Sequence, residues 1–267
     1  MDPDAFRDAF DRVNLHHHTL LSAAKWDAWA VRNLTPILRG RRVIALGRRV
    51  GDALRTPDIW MTWSLWNGEF IGATLPHPSG LNRWWNDSYH VTLARGFLKQ
   101  VTRPCVHVEG PDGSGKSTLV HPMSELTGLR IVPPEDPPGS WDECLARISR
   151  RILPGLLCDR SSGLVSELVY GPVVRGRTIT DEDMVWKVAR AVSHAVVYIY
   201  CRPPRESMQP LFRDEEDPDH VSAVREKFDD LVDRYDEVMA RLSLEGARVI
   251  RYDWTQTTVE EVTSCVV

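Results

Sequence analysis

Apolar and polar residues change period along the chain, and the changes predict an alternating α/β order. Val43 to Leu46 is a compact apolar run closed by Gly47, and Val50 to Leu54 follows at helical spacing. Trp60 to Trp66 and Glu69 to Ala73 read as short strands around the turn pair Asn67-Gly68, and Leu93 to Val101 as a helix ended by Arg103-Pro104. Val106 to Glu109 is strand-like and runs into Gly110, Gly113 and Gly115, with a helix predicted over Ser117 to Leu126. Leu129 to Val132, Leu156 to Cys158, Ala195 to Tyr200 and Arg248 to Tyr252 are the remaining strand candidates. Between them fall helices over Trp141 to Ile152 with Ser140 as cap, from Ser166 to before Pro172, Asp181 to His194 with Thr180 as cap, Val221 to Leu242, and Thr257 to Val266. Residues 4 to 14 and Ala23 to Leu38 also carry helical spacing.

The order divides the chain into residues 1–102, a small α/β module, and 103–267, a larger α/β domain with a central parallel sheet. Composition narrows this little. The net charge of -4 with 26% charged residues makes no bulk case for a polyanion partner and leaves a local patch open. Five cysteines, odd in number and unclustered, fit reduced core thiols. With no leader-like or membrane-spanning apolar run, a soluble cytoplasmic protein with no membrane partner is expected. His16, His17 and His18 are adjacent and point in divergent directions, so a loop or helix lead-in is preferred to a metal site.

The strongest chemistry lies at Gly110-Pro111-Asp112-Gly113-Ser114-Gly115-Lys116-Ser117-Thr118, a full G-x-x-x-x-G-K-[ST] pattern between a strand and a helix. Glycines let backbone N–H groups curl around phosphates, the helix start adds its positive end, Lys116 reaches the outer phosphates, and Ser117 offers a hard oxygen to magnesium. ATP and Mg2+ are therefore the expected cofactors. Asp159, Arg160 and Ser161 leave the carboxyl end of an apolar strand, where open α/β sheets bind ligands. There the carboxylate either accepts a proton from an attacking hydroxyl or holds magnesium, and the guanidinium clamps a phosphate. Glu135 and Asp136, in a stiff proline loop, are placed to orient magnesium or an acceptor hydroxyl. Tyr170 either stacks on an acceptor base or packs, and Arg175 and Arg177 are candidates for phosphate contact. Arg202, Arg205 and Arg213 occupy a charged segment after the Ala195 to Tyr200 strand.

In the first module Pro76-His77-Pro78-Ser79 makes a rigid loop with Asn82, Arg83, Trp84 and Trp85 just beyond, suited to leaning into a groove or stacking on a base. Residues 40 to 96, through Val43-Ile44-Ala45-Leu46-Gly47 and His77-Pro78-Ser79, resemble the later half of the uracil-DNA glycosylase superfamily. The resemblance implies that His77 and Ser79 face DNA at a flipped nucleotide, with Asn82 and Arg83 beside them. No water-activating loop of that family precedes residue 40, so a shortened DNA- or base-recognition module is expected.

Residues 105 to 255, through Glu109 to Thr118 and Cys158-Asp159-Arg160-Ser161, resemble the thymidylate kinase and deoxynucleoside kinase group. That resemblance implies that Lys116 and Ser117 serve ATP and magnesium, that Arg160 contacts the acceptor, and that Asp159 acts on an acceptor hydroxyl. It also implies that Arg202, Arg205 and Arg213 belong to a lid. The segment from Lys116 to Arg160 is short for a thymidylate kinase, which leaves base recognition to the first module. The whole chain is similar to viral (bacteriophage) 5-hydroxymethyluracil DNA kinases. This implies ATP-dependent phosphorylation of the hydroxymethyl group of 5-hydroxymethyluracil in DNA, a step in thymine hypermodification. The partner would be DNA containing a modified pyrimidine. The alternative is a thymidylate kinase acting on a free deoxynucleoside monophosphate, and self-association into a homodimer is left open. A DNA-binding ATPase and an active glycosylase fused to a nucleotidase are further readings, each with its own product.

Overall fold

The computed structural model describes residues 38, 42–54, 59–66, 70–77, 82–101, 103–160, 163–208 and 218–266. The predicted helices at 4–14 and 23–37, His16 to His18, the Asn67-Gly68 turn, Ser79, Ser161 and Arg213 lie outside the described residues.

A three-stranded sheet comes first. β1 (Arg42–Leu46) leads through Gly47 into α1 (Arg48–Ala53), and β2 (Ser64–Trp66) and β3 (Phe70–Leu75) follow. β3 is central, parallel to β1 with Arg42 opposite Ile71, and antiparallel to β2 with Ser64 opposite Gly72. The strand predicted from Trp60 is shorter than its apolar run, because Trp60 makes only an isolated bridge to Thr74. α2 (Ser88–Val101) starts earlier than predicted and buries Ala94, Phe97 and Val101 on one face, as 3.6-residue periodicity requires.

The second sheet contains β4 (Cys105–Glu109), β5 (Arg130–Val132), β6 (Leu156–Asp159), β7 (Val196–Cys201) and β8 (Arg248–Tyr252). All its pairings are parallel, in the order β5-β6-β4-β7-β8. β4 and β6 are buried along their whole length; Leu156 to Cys158 of β6 accordingly reads as a continuous apolar run, while β4 carries His107 and Glu109 into the interior. α3 (Lys116–Thr127) and α9 (Val259–Ser264) pack on one face, over Val106, Val108, Ile199 and Tyr252. The other face carries α4 (Trp141–Arg151), α5 (Val165–Val174), α6 (Glu182–Val192), α7 (Pro218–Glu226) and α8 (Phe228–Leu244).

The core of that second face does not stop at the small sheet. Trp63, Ile71, Leu75 and Phe97 belong to one buried apolar cluster with Ile148, Leu164, Trp186 and Tyr198, and Trp63 stacks on Phe97 at 5.4 Å. Arg42 ties the same seam with polar bonds, donating to Val101 O (3.1 Å), Arg103 O (3.0 Å) and Ala195 O (2.6 Å).

Three helix expectations are corrected. α5 runs through Pro172 instead of stopping before it: the carbonyl that proline leaves unpaired, Leu168 O, accepts from Arg234 Nε of α8 at 2.9 Å. α6 is capped by Asp181, whose side chain accepts from Asp183 N, and not by Thr180. The helix predicted over Val221 to Leu242 is two helices, broken at Lys227, whose Nζ reaches Val173 O at 2.9 Å.

Candidate functional site

The loop from Gly110 to Lys116 joins the end of β4 to the start of α3, at the carboxyl edge of the parallel sheet. Its shape depends on two glycines. A Cβ on Gly110 would lie 2.5 Å from Cys201 O and 2.6 Å from Ser114 Oγ, so no side chain fits where the loop passes β7. Gly115, at φ +87°, caps α3 in the left-handed region. Lys116 is buried and its Nζ donates to Gly110 O and Pro111 O, each at 2.7 Å, and stands 3.9 Å from Asp112 Oδ1. Burial pushes the ammonium pKa down, with Asp112 acting in the opposite direction. The lysine therefore closes the loop on itself, with its charge at the mouth where phosphate oxygens would enter.

Asp159 reaches the same mouth from the end of β6. Ser117 Oγ donates to Asp159 Oδ2 at 3.0 Å. The buried Oδ1 accepts no hydrogen bond, and Arg160 Nε stands 3.9 Å from it. Two hard oxygen donors in contact, one carboxylate oxygen of which has no hydrogen-bond donor, suit a magnesium ion that takes its other ligands from phosphates and water. Among the described residues no group of three or more His, Cys, Asp or Glu side chains is arranged to hold a metal by itself.

Arg160 is a non-glycine residue at positive φ (73°), anchored by its N–H to Val108 O at 3.0 Å. Burial works against its charge, but Asp112 and Asp159 outweigh it and raise the pKa. Tyr170 donates its hydroxyl to Asp112 Oδ2 at 2.9 Å, and burial pushes its pKa well up. Its ring meets Tyr235 edge to face at 6.1 Å. Of the two roles open to Tyr170, packing and loop support are what the geometry displays. Lys116, Ser117, Asp112, Asp159, Arg160 and Tyr170 thus converge.

Other predicted residues are placed differently. Glu135 sits among Arg147 Nε (3.2 Å), Arg151 Nη2 (3.1 Å) and Arg150 Nη2 (4.0 Å), so its carboxylate clasps the proline loop to α4. Arg175 pairs with the buried Glu167 at 2.7 Å. In the expected lid, Arg202 is held by Asp236 at 3.0 Å, and Arg205 by Asp229 (2.9 Å) and Asp233. These carboxylates recur three and four residues apart, so α8 presents them on one face. Two features were missed. Arg147 and Arg151 face the proline loop, and their i, i+4 spacing was the available signal. Trp254, just past β8, lies against Gly115, and its position beyond a parallel strand's carboxyl end was the signal.

On the small sheet, His77 follows β3 and is exposed, while its carbonyl accepts from Asn82 Nδ2 and Trp85 Nε1, both at 3.0 Å. Asn82 Oδ1 also caps the short 3-10 turn Arg83–Asn86 by accepting from Trp84 N. Trp84 stacks on His90 at 4.5 Å and meets Trp85 edge to face at 4.8 Å. Both tryptophans are half-buried against the core, so they support the loop from below, and Arg83 remains exposed.

Among the described residues no helix is long and apolar enough to cross a membrane. No protein-family profile matches the chain, and no curated protein matches it. Among solved structures, the chain is similar to the YorR protein of Bacillus subtilis, described in complex with phosphorylated GDP. The two share 18% identity at a TM-score of 0.47, over 60% of this chain and 92% of YorR.

Proposed function

We propose that the chain is an ATP-dependent phosphotransferase whose acceptor is the hydroxymethyl group of a modified pyrimidine, 5-hydroxymethyluracil, in DNA. The observation that carries the phosphotransfer reading is the Ser117 Oγ to Asp159 Oδ2 bond at the mouth of the Gly110–Lys116 loop. It joins the phosphate cradle to a strand end that also delivers a guanidinium, Arg160. Magnesium bound by Ser117 and Asp159 would neutralise charge on the phosphates. Lys116, released from Gly110 O and Pro111 O, pairs with the outer phosphate oxygens. Arg160 orients the acceptor against the terminal phosphorus. The acceptor oxygen forms the new P–O bond as the bond to the β-phosphate oxygen breaks, and the hydroxyl proton leaves through Asp159 Oδ1 or water. A pyrimidine in duplex DNA must leave the stack to reach this site, and the exposed His77, on a backbone held by Asn82 and Trp85, supports DNA contact.

One observation favours a second reading. Asp159 is already bonded to Ser117, and a carboxylate committed to the metal side suits an acceptor that needs no base, namely the phosphate monoester of free thymidylate.

Terminally labelled ATP with magnesium, offered with thymidylate and with duplex DNA containing 5-hydroxymethyluracil, separates the two. Label on a DNA nucleoside after digestion, lost in Lys116→Ala, is expected. Label only in thymidine diphosphate would replace the DNA reading with the nucleotide reading.

A further inference from the structure

Arg151, the last residue of α4, is tied into the sheet by its backbone and into the site by its side chain. Its carbonyl is one of those that a helix end leaves without a partner inside the helix. It accepts instead from Cys105 Sγ (3.0 Å) and His107 Nε2 (3.0 Å) of β4 and from Cys158 Sγ (3.4 Å) of β6. The end of α4 is thereby pinned to the two strands that lead to Gly110 and to Arg160. From that fixed point the guanidinium spans two backbone carbonyls, Nη2 donating to Pro133 O (2.5 Å) and Nη1 to Arg160 O (3.3 Å).

Packing by itself does not ask for a cation here. The Arg151 side chain is 2% exposed, whereas its carboxylate partner Glu135, at 3.1 Å, is 39% exposed, and the buried Nε makes no hydrogen bond. A buried charge so thinly paired costs stability that a well-packed apolar side chain would not. The proline loop does not require it either, because Arg147 already binds Glu135 at 3.2 Å and donates to Asp136 O. What Arg151 adds is the bond to Arg160 O. Arg160 needs holding: at φ 73° it occupies the left-handed region without being glycine, a strained conformation that persists only where its surroundings over-determine it. Its N–H donates to Val108 O at 3.0 Å and its carbonyl accepts from Arg151, so the backbone is fixed on both sides of the side chain.

Resting on the reading of Arg160 as the group that orients the acceptor, we infer that Arg151 is a positioning residue for phosphotransfer. It fixes the strained Arg160 backbone and so aims the guanidinium that receives the acceptor, without touching either substrate. The same fork holds Pro133 O, which makes the proline loop and Arg160 one rigid unit on the acceptor side.

The test follows phosphate transfer by the full chain, from terminally labelled ATP with magnesium to whichever acceptor the wild-type chain uses, 5-hydroxymethyluracil DNA or thymidylate. Arg151→Lys keeps the charge, but one ammonium cannot span both carbonyls. Its kcat/KM for the acceptor is expected to fall about 10-fold with KM for ATP unchanged, since a misaimed Arg160 disturbs orientation of the acceptor alone. The same change placed in Arg160→Ala is expected to cause no further loss, because no guanidinium is left to aim. Arg151→Met, which fills the buried site without a charge, is the second variant if the lysine unfolds the chain, and the same pattern is expected of it. Losses that multiply in the double variant, a matching rise in KM for ATP, or wild-type kinetics in the folded single variant would each overturn the inference and leave the phosphotransfer reading in place. A wild-type chain that labels neither acceptor would overturn that reading, and the inference with it.

Discussion

Lys116, Ser117 and Asp159 are held by short polar bonds to one another's surroundings, so their replacement has distinguishable effects. Lys116→Ala removes the side-chain cation buried within the Gly110–Lys116 loop, and on the proposed phosphotransfer reading kcat is expected to fall by about 100-fold or more. Ser117→Ala leaves Asp159 Oδ2 without that donor and, on the proposed phosphotransfer reading, removes one of the oxygens offered to magnesium. Its expected signature is a raised magnesium requirement in a metal titration of the rate. Asp236 makes a pH prediction. Burial opposes its ionisation, but hydrogen bonds from Arg202 and Tyr200 prevail and lower its pKa. A carboxylate depressed on folding contributes stability that is complete above its unfolded pKa of about 3.9 and is lost as pH falls through the folded value. Urea midpoints measured from pH 7 down to pH 3 should therefore drop below about pH 4. Asp236→Asn should be less stable at neutral pH and show a shallower acid slope.

At the scale of elements, helix ends show how local sequence and tertiary contact divide the work. α9 begins with a complete capping box, Thr258 Oγ1 accepting from Glu261 N at 3.2 Å and Glu261 Oε2 from Thr258 N at 2.8 Å. Thr258→Ala is expected to cost about 1 kcal/mol in chemical denaturation. α5 is the opposite case. Pro172 should have ended it, and it continues because Arg234, distant in sequence, accepts the role of donor to Leu168 O. Arg234→Ala should then fray the end of α5 that carries Arg175, read as faster amide exchange there.

For the molecule as a whole, the seam between the small sheet and the larger one is packed as a core. Trp63 and Phe97 share a buried cluster with residues of α4 and α6, and Arg42 spans from β1 to the start of β7. Heating should accordingly produce one calorimetric transition rather than two. Arg42→Ala, which strips donors from three carbonyls, should lower stability by about 3 kcal/mol while keeping that single transition. Two separate transitions would show that the shared packing contributes little.

The Gly110–Lys116 turn between a strand and a helix, the parallel strands β4, β6 and β7, and the delivery of Asp159 and Arg160 at a strand end could all be read from residue order. Each depends on short-range chemistry: glycine conformations, a run of apolar residues, a strand's carboxyl edge. The Ser140 cap was legible for the same reason, whereas the last helix starts at Val259 behind a Thr258 cap, two residues later than its predicted start at Thr257. The partners of the charged side chains were not. Glu135 among three arginines, Arg205 on two aspartates of α8, and Tyr170 on Asp112 join residues far apart in the chain, and sequence spacing carries no record of which cation meets which carboxylate. Trp254 resting on Gly115 is of the same kind. Its neighbours in sequence mark a turn after a strand, and only the parallel order of the sheet brings that turn to the Gly110–Lys116 loop.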